Sequence, residues 1–254
     1  MTVRVGIAGI QGRMGREIAA LAATAPEFSL VGGIARQPTP LGDGLNVVAT
    51  VDELLPAIEV LIDFTAPSAA AAHAEACAGA GVALVCGTTG LDAGQMIVLR
   101  AASERIAVFL AANMSPGVNA LLSVLPGLVR TLDAYDVEIV ETHHRFKLDA
   151  PSGTALALAR AVTEAGGGAI EDRVRYGREG LNKRSAAEIG IHAVRAGGNP
   201  GEHEVILAGD GEEIRLSHRA FSRAAYAAGA LRAARLIAAQ PPGWYDPSSL
   251  PGFL

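Results

Sequence analysis

The chain has 254 residues, 50% of them hydrophobic and 19% charged, with 30 glycines and a formal net charge of −5 at pH 7. That apolar fraction with so little net charge excludes a disordered chain, and the acidic balance excludes a general nucleic-acid binder, whose electrostatic footprint is basic. The length allows one large domain or two smaller ones.

MTVRVGIAGI opens on an apolar run, broken by an arginine and then glycines, that is too short for a secretory signal. No uninterrupted apolar stretch has the length of a membrane span, so a cytoplasmic protein without membrane contact is expected. Residues 3–8, 28–35, 60–64, 82–86 and 106–110 read as short buried strands. Helices are predicted from the first glycine turn to about residue 23, then over 68–79 and 93–103. Strands alternating with helices predict a parallel, doubly wound sheet with right-handed crossovers. Cys77 and Cys86, the only cysteines, fall in apolar elements and read as buried free thiols.

Near residue 113 the pattern changes. A helix is expected over 117–132, with Val118, Leu121, Leu122, Leu125 and Leu128 on one face, then a strand over 137–140 and a helix over 154–164. The runs 189–195, 204–208 and 214–217 have no long helix between them, which points to an antiparallel or mixed sheet. A long alanine-rich helix over 221–239 follows, and the tail PPGWYDPSSLPGFL reads as irregular coil.

The first strand–helix junction carries Gly9-x-x-Gly12-x-x-Gly15. Glycines there permit a tight turn and let a pyrophosphate approach the helix amino terminus, where N–H groups and the dipole favour an anion. The spacing is not the commoner Gly-x-Gly-x-x-Gly, and close packing is the plain alternative. The second strand ends Ala35-Arg36, with no acid for a ribose diol and a cation suited to a 2′-phosphate. Gly87-Thr88-Thr89-Gly90 and Ala112-Asn113-Met114-Ser115 follow two further strands, at the sheet edge where such ligands sit.

The stretch ETHHRFKLDAPSGTA, residues 141–155, gathers His143, His144, Arg145 and Lys147 in an otherwise mildly acidic chain. Adjacent histidines on a strand point to opposite faces, which disfavours joint ligation of a metal, and no metal site is expected. Pro151-Ser152-Gly153-Thr154 has the composition of a helix start, whose first-turn N–H groups receive a carboxylate. Lys147 adds a point charge and a histidine adds a group that titrates near neutrality. Such a pocket suits a small dianion. His73, His192 and His218 read as structural; His203 is a candidate for lining the site.

With Gly9–Gly15, Ile62-Asp63-Phe64-Thr65, Gly87–Gly90, Ala112–Ser115, Gly117-Val118-Asn119, the string His-His-x-x-Lys-x-Asp-Ala-Pro-Ser-Gly-Thr, Arg195-Ala196-Gly197 and Gly201-Glu202-His203, the chain closely resembles the 4-hydroxy-tetrahydrodipicolinate (dihydrodipicolinate) reductases of lysine and diaminopimelate biosynthesis. The resemblance runs essentially end to end. It implies an α/β protein with a Rossmann-type doubly wound domain, residues 1–112 plus 222–254, and a smaller α+β domain, residues 113–221, for substrate binding and assembly into a homotetramer. It implies hydride transfer from NADPH or NADH to a cyclic imine dicarboxylate. The family's proton donors fall on His143 and Lys147, and its substrate contacts on His144, Gly153 and Thr154. Its cofactor contacts fall on Gly9, Ile10, Gln11, Gly12, Arg13, Met14 and Arg36, then on Gly87, Thr88 and Thr89, and on Ala111, Ala112, Asn113 and Met114. Many members carry an acid where this chain has Ala35, which weakens the case for strong NADH use. A nucleotide sensor without catalysis and a reductase of another dicarboxylate are the competing readings. A cysteine-nucleophile aldehyde dehydrogenase fits worse, because neither cysteine has a base beside it in sequence.

Overall fold

The computed structural model describes residues 2–42 and 44–254, and the chain divides into two compact units, Met1–Pro116 with Arg223–Leu254, and Gly117–Ser222. In the first unit, β1 (Val3–Ala8), β2 (Phe28–Ile34), β3 (Asn46–Val48), β4 (Val60–Asp63), β5 (Ala83–Cys86), β6 (Ala107–Leu110) and β12 (Gly243–Tyr245) form one sheet in the order β12-β6-β5-β4-β1-β2-β3. Every pairing is parallel. Helices α1 (Arg13–Thr24) and α7 (Ala224–Ile237) cover one face; α2 (Pro67–Ala80) and α3 (Ala93–Ser103) cover the other.

The strands read as unbroken apolar runs because both faces are buried. Val60, Ile62, Val85 and Phe109 point to the α1/α7 side, while Leu61, Leu84, Cys86 and Val108 point to the α2/α3 side. The two thiols are buried, and burial pushes both up to about 12, so they are inert packing groups. Helix starts and stops follow local chemistry: Asp92 and Gln95 close a capping box on α3, and Gly81 ends α2 at φ 72°.

In the first unit two strands depart from expectation. The tail is not all coil, because Gly243–Tyr245 adds β12 beside β6, with the Arg100 guanidinium 3.7 Å above the Trp244 ring. Three residues bounded by prolines carry no periodicity, so only tertiary pairing reveals such a strand. The same holds for β3, which three residues of β2 hold in place.

The second unit has a sheet in the order β11-β10-β7-β9-β8, built from β7 (Asp136–His143), β8 (Val174–Tyr176), β9 (Ile189–Arg195), β10 (Glu202–Ala208) and β11 (Glu213–Arg219). It is mixed: β10 is antiparallel to β7 and β11, whereas β9 is parallel to β7 and β8. Helices α4 (Pro116–Thr131), α5 (Gly153–Gly166) and α6 (Ile170–Arg173) pack on its inner face through Leu125, Leu158, Val162 and Ile170 against Ile139, Ile189, Val205 and Leu207. The other face carries Glu138, Val140 and Thr142 of β7, alternating with the buried residues.

Candidate functional site

In the first unit β1 pairs with β2 on one side and β4 on the other, so the order of strands reverses there, and ligands of open α/β sheets bind beyond the carboxyl ends of the strands at that reversal. Gly9 turns the chain at φ 78°, and a Cβ on it would lie 2.6 Å from the Phe64 carbonyl oxygen. A Cβ on Gly15 would lie 2.3 Å from the Gly9 oxygen, so α1 begins pressed onto the turn. Gly9 and Ile10 donate their N–H groups to Ile34 O, and Gly12 donates to Gly9 O at 2.8 Å. The first-turn N–H groups at Arg13 and Met14 have no place in the helical ladder, and the N-cap, Gly12, makes no side-chain cap.

Beside this turn lies a cavity of about 1110 Å³ lined by Gly9, Gln11, Gly12, Arg36, Thr65 and His73. Arg36 is exposed while Ala35 is buried, and Gln11 Nε2 ties the turn to the next loop by donating to Thr39 Oγ1 at 2.6 Å. These features fit a dinucleotide: a bare glycine turn, an uncapped helix start and a cation at the cavity wall. The Ile10 side chain is in the core, as is Met114, so either would meet a cofactor through its backbone.

The hub of this edge is a residue that the sequence motifs include without a role. Asp63 is fully buried; its Oδ1 accepts from Thr65 N at 2.9 Å, Thr65 Oγ1 at 2.7 Å and Thr88 Oγ1 at 2.8 Å, and its Oδ2 meets His73 Nδ1 at 2.6 Å. Thr88 is thereby engaged through its hydroxyl, and His73 bonds Asp63 while also lining the cavity. Asn113 Oδ1 accepts from Ser115 N at 2.8 Å and shapes the loop after β6.

In the second unit the inner face of the sheet turns polar toward the end of β7. Val137 and Ile139 are succeeded at the same two-residue period by Glu141 and His143, both buried, and β10 brings buried His203 opposite Glu141. Glu141 Oε1 accepts from Arg195 at 2.7 Å and from Ser152 N at 3.0 Å; its Oε2 accepts from Arg195 at 2.8 Å and meets His143 Nδ1 at 2.5 Å. Burial drives the Glu141 carboxyl up, but Arg195, His143 and the Ser152 N–H outweigh it and hold it below its ordinary value. Burial, then the charges of Lys147 and Arg195, lower His143 against the upward pull of Glu141.

Ser152 caps α5 by accepting from Ala155 N at 3.2 Å, and its hydroxyl lies 3.0 Å from His203 Nε2. Lys147 ends a tight turn from His144 and is ion-paired with Asp149 at 2.8 Å. His144 is half-buried, and its Nδ1 has no partner among the described residues. His143, Lys147, Ser152 and the start of α5 are thus gathered at one end of the second unit's core, with His144 next in the chain. Arg195 escaped individual assignment because only the pairing of β9 with β7 brings it to Glu141, and Ser152, read as part of a helix start, because only the loop after β7 folds it back there; the alternation Val137, Ile139, Glu141, His143 was the available signal. His192 bonds Glu138 on the opposite face, at 2.7 Å, apart from this cluster. Among the described residues, no group of three or more His, Cys, Asp or Glu could hold a metal ion, and no helix is long and apolar enough to cross a membrane.

His203 carries a stability prediction. Burial lowers it to about 3, whereas the unfolded side chain titrates near 6.5. Between those values the unfolded chain binds a proton that the folded chain refuses, so stability is full above 6.5 and falls as pH drops toward 3. The loss approaches about 1.4 kcal/mol per pH unit. Urea unfolding at about pH 7 and about pH 4 should show a smaller acid penalty in His203→Gln than in the parent; an equal penalty would rule His203 out as its source.

A parallel sheet with a bare glycine turn at its strand-order reversal, together with a separate cluster of His, Lys and a helix start, has the make-up of a dinucleotide-dependent enzyme. Residues 3–114 match the family model described as dihydrodipicolinate reductase, N-terminus, and residues 117–250 match its C-terminus. The chain belongs to the dihydrodipicolinate reductase family. It is 46% identical to the 4-hydroxy-tetrahydrodipicolinate reductase of Rubrobacter xylanophilus, over 96% of each chain. It is 44% identical to that of Thiobacillus denitrificans, over 97% of each. In fold it is similar to a dipicolinate-bound dihydrodipicolinate reductase from Paenisporosarcina sp. TG-14, with a TM-score of 0.81, 24% identity, and coverage of 97% of this chain and 98% of that one. The Rossmann-type parallel sheet with a second mixed-sheet unit, expected from the sequence, is therefore the family's fold.

Proposed function

We propose that the protein reduces 4-hydroxy-tetrahydrodipicolinate, or dihydrodipicolinate, to tetrahydrodipicolinate in lysine and diaminopimelate biosynthesis, with His143 and Lys147 as proton donors. The observation that supports this most is that buried Glu141 holds both His143 and the Ser152 N–H at the amino terminus of α5, with the charge of Lys147 felt at His143. NADPH or NADH, when bound, supplies the hydride. The first unit holds the nucleotide through the Gly9–Met14 turn, Arg36, and the loops carrying Gly87–Thr89 and Ala111–Met114. The second unit holds the dicarboxylate: the helix start at Gly153 and Thr154 receives one carboxylate, and His144 Nδ1 offers a further polar contact.

Lys147 leaves Asp149 for the anionic ring and stabilises the charge that hydride addition creates. His143 delivers the proton. Loss of NADPH absorbance with freshly generated substrate tests this reading; no oxidation above the substrate-free rate would refute it. Arg36→Ala should raise KM for NADPH by about tenfold, on the scale of one lost charge-assisted contact, and leave KM for NADH nearly unchanged. Equal changes would remove the 2′-phosphate role.

A cytoplasmic location is proposed with it, as the compartment that would supply the reduced nicotinamide. A homotetramer is proposed from the second sheet: its helices all pack on one face, and Val140, Ile206 and Val194 are left on the other. Sedimentation velocity should give the mass of four chains, and charge placed on this face by Val194→Glu with Ile206→Glu should give smaller species. A monomeric parent would refute it.

A further inference from the structure

Whether a histidine gives its proton from a particular ring nitrogen depends on what holds the other nitrogen. We propose that Glu141 and Arg195 are positioning residues that act through His143: Arg195 and the Ser152 N–H hold the buried Glu141 carboxylate in place, the carboxylate takes the His143 Nδ1 proton, and Nε2 is left as the atom that exchanges a proton with substrate. This rests on the reductase reading given above.

The geometry supports each step. Glu141 is ionised, and an ionised carboxylate only accepts, so the 2.5 Å contact makes His143 Nδ1 the donor. Four contacts occupy the carboxylate, two from Arg195, one from Ser152 N and one from His143, so it cannot turn away from the ring. Arg195 is itself pinned: its guanidinium donates to Asp149 O at 2.7 Å and Val194 O at 2.8 Å. The same guanidinium thereby ties the strand that carries His143 to the loop that carries Lys147.

The charge balance at His143 follows. Around it stand Glu141 on its own strand, Arg195 on β9, Lys147 in the following loop and His203 on β10, whose ring lies edge-on with centroids 5.1 Å apart. Burial first, then the charges of Lys147 and Arg195, hold the resting ring toward its neutral form against the upward pull of Glu141, while Asp149 pairs with Lys147 at 2.8 Å. The arrival of a dianion adds negative charge beside the ring and favours protonation on Nε2. The proton is drawn from solvent on binding and passed on in the reaction.

The two charges should therefore shift the titration of His143 in opposite directions when removed. Glu141→Gln should lower its pKa by about one unit and Arg195→Gln should raise it by about one unit, in line with neighbouring-charge shifts. The measurement is nitrogen NMR of the histidine rings in the full-length protein, assigned by loss of the His143→Gln signal. It is paired with the pH dependence of kcat/KM. Expected are an Nδ1-protonated neutral tautomer in the parent, opposite displacements of the acidic limb in the two variants, and proton uptake when NADPH and dipicolinate are added. Shifts in the same direction, no shift, or an Nε2-protonated resting tautomer overturn the proposal.

Each single variant leaves a buried charge uncompensated, which is the kind of change that can prevent folding. The double variant Glu141→Gln with Arg195→Gln removes both charges. It should return the titration to within about half a unit of the parent, since two opposed neighbouring-charge shifts of similar size cancel, and a departure of about a unit or more counts against the proposal. Parental enzyme that oxidises no NADPH sinks the reductase reading itself; active enzyme whose limb ignores both charges sinks only the positioning role.

Discussion

Lys147→Ala and His143→Ala are each expected to lower kcat by about 10²–10⁴-fold, the range for loss of a positioned proton donor, while the Kd for NADPH changes little. The separation follows from the fold. Both side chains belong to the unit Gly117–Ser222, whereas the glycine turn and Arg36 belong to the unit that contains β1 and β2. Lys147 sits at the end of a turn, paired with Asp149 and outside the apolar core of its unit, so truncating it chiefly removes a charge. His143 is buried, and His143→Gln is the gentler companion, keeping a polar group beside Glu141. Steady-state kinetics with a fluorescence titration of NADPH decides the matter. Parental turnover in both variants would remove them from the chemistry, and parallel loss of nucleotide binding would indicate a folding defect.

Gly229→Ala is expected to destabilise the first unit by about 3 kcal/mol or more, at or beyond the upper end of ordinary overpacking. In the middle of an exposed helix the same change is favourable by about 0.5–1 kcal/mol, so the sign itself is diagnostic. A Cβ at 229 would lie 1.7 Å from the Met114 carbonyl oxygen and 2.7 Å from its carbon, both backbone atoms that no rotamer change can move. Helix α7 approaches so closely because Ala227, Ala230, Ala233 and Ala234 are all fully buried against the sheet. Pushing it away displaces the 111–114 loop, so NADPH affinity should fall together with the urea midpoint. A variant as stable as the parent would contradict so close an approach of α7 to that loop.

Sequence legibility followed the range of the interactions. Elements with dense local signals were readable: β1 with its glycine turn, the apolar runs of β4 to β6, and the helix over 93–103. What escaped depends on partners distant in the chain. β12 exists because β6 offers it an edge, and its three residues have no pattern of their own. At the candidate site, His143 and Lys147 stood out as charge in an acidic chain, and Pro-Ser-Gly-Thr announced a helix start. Asp63 lay inside an expected apolar strand, residues 60–64, with no role assigned to it, yet it organises Thr65, His73 and Thr88. Arg195 lies 54 residues from Glu141 and reaches it only because β9 runs parallel to β7. The expected strand stopped at residue 140, whereas β7 runs on to His143 and carries Glu141 and His143 on its buried face; which cation meets them there is a matter of sheet topology.

A crystal structure of the protein with NADPH and dipicolinate bound tests the central claim most directly. One carboxylate should lie on the N–H groups of Gly153 and Thr154, with Lys147 Nζ within about 3 Å of the ligand and the ring facing the nicotinamide. A dianion seated away from Lys147 and the start of α5, or held there out of reach of the nicotinamide, would contradict it.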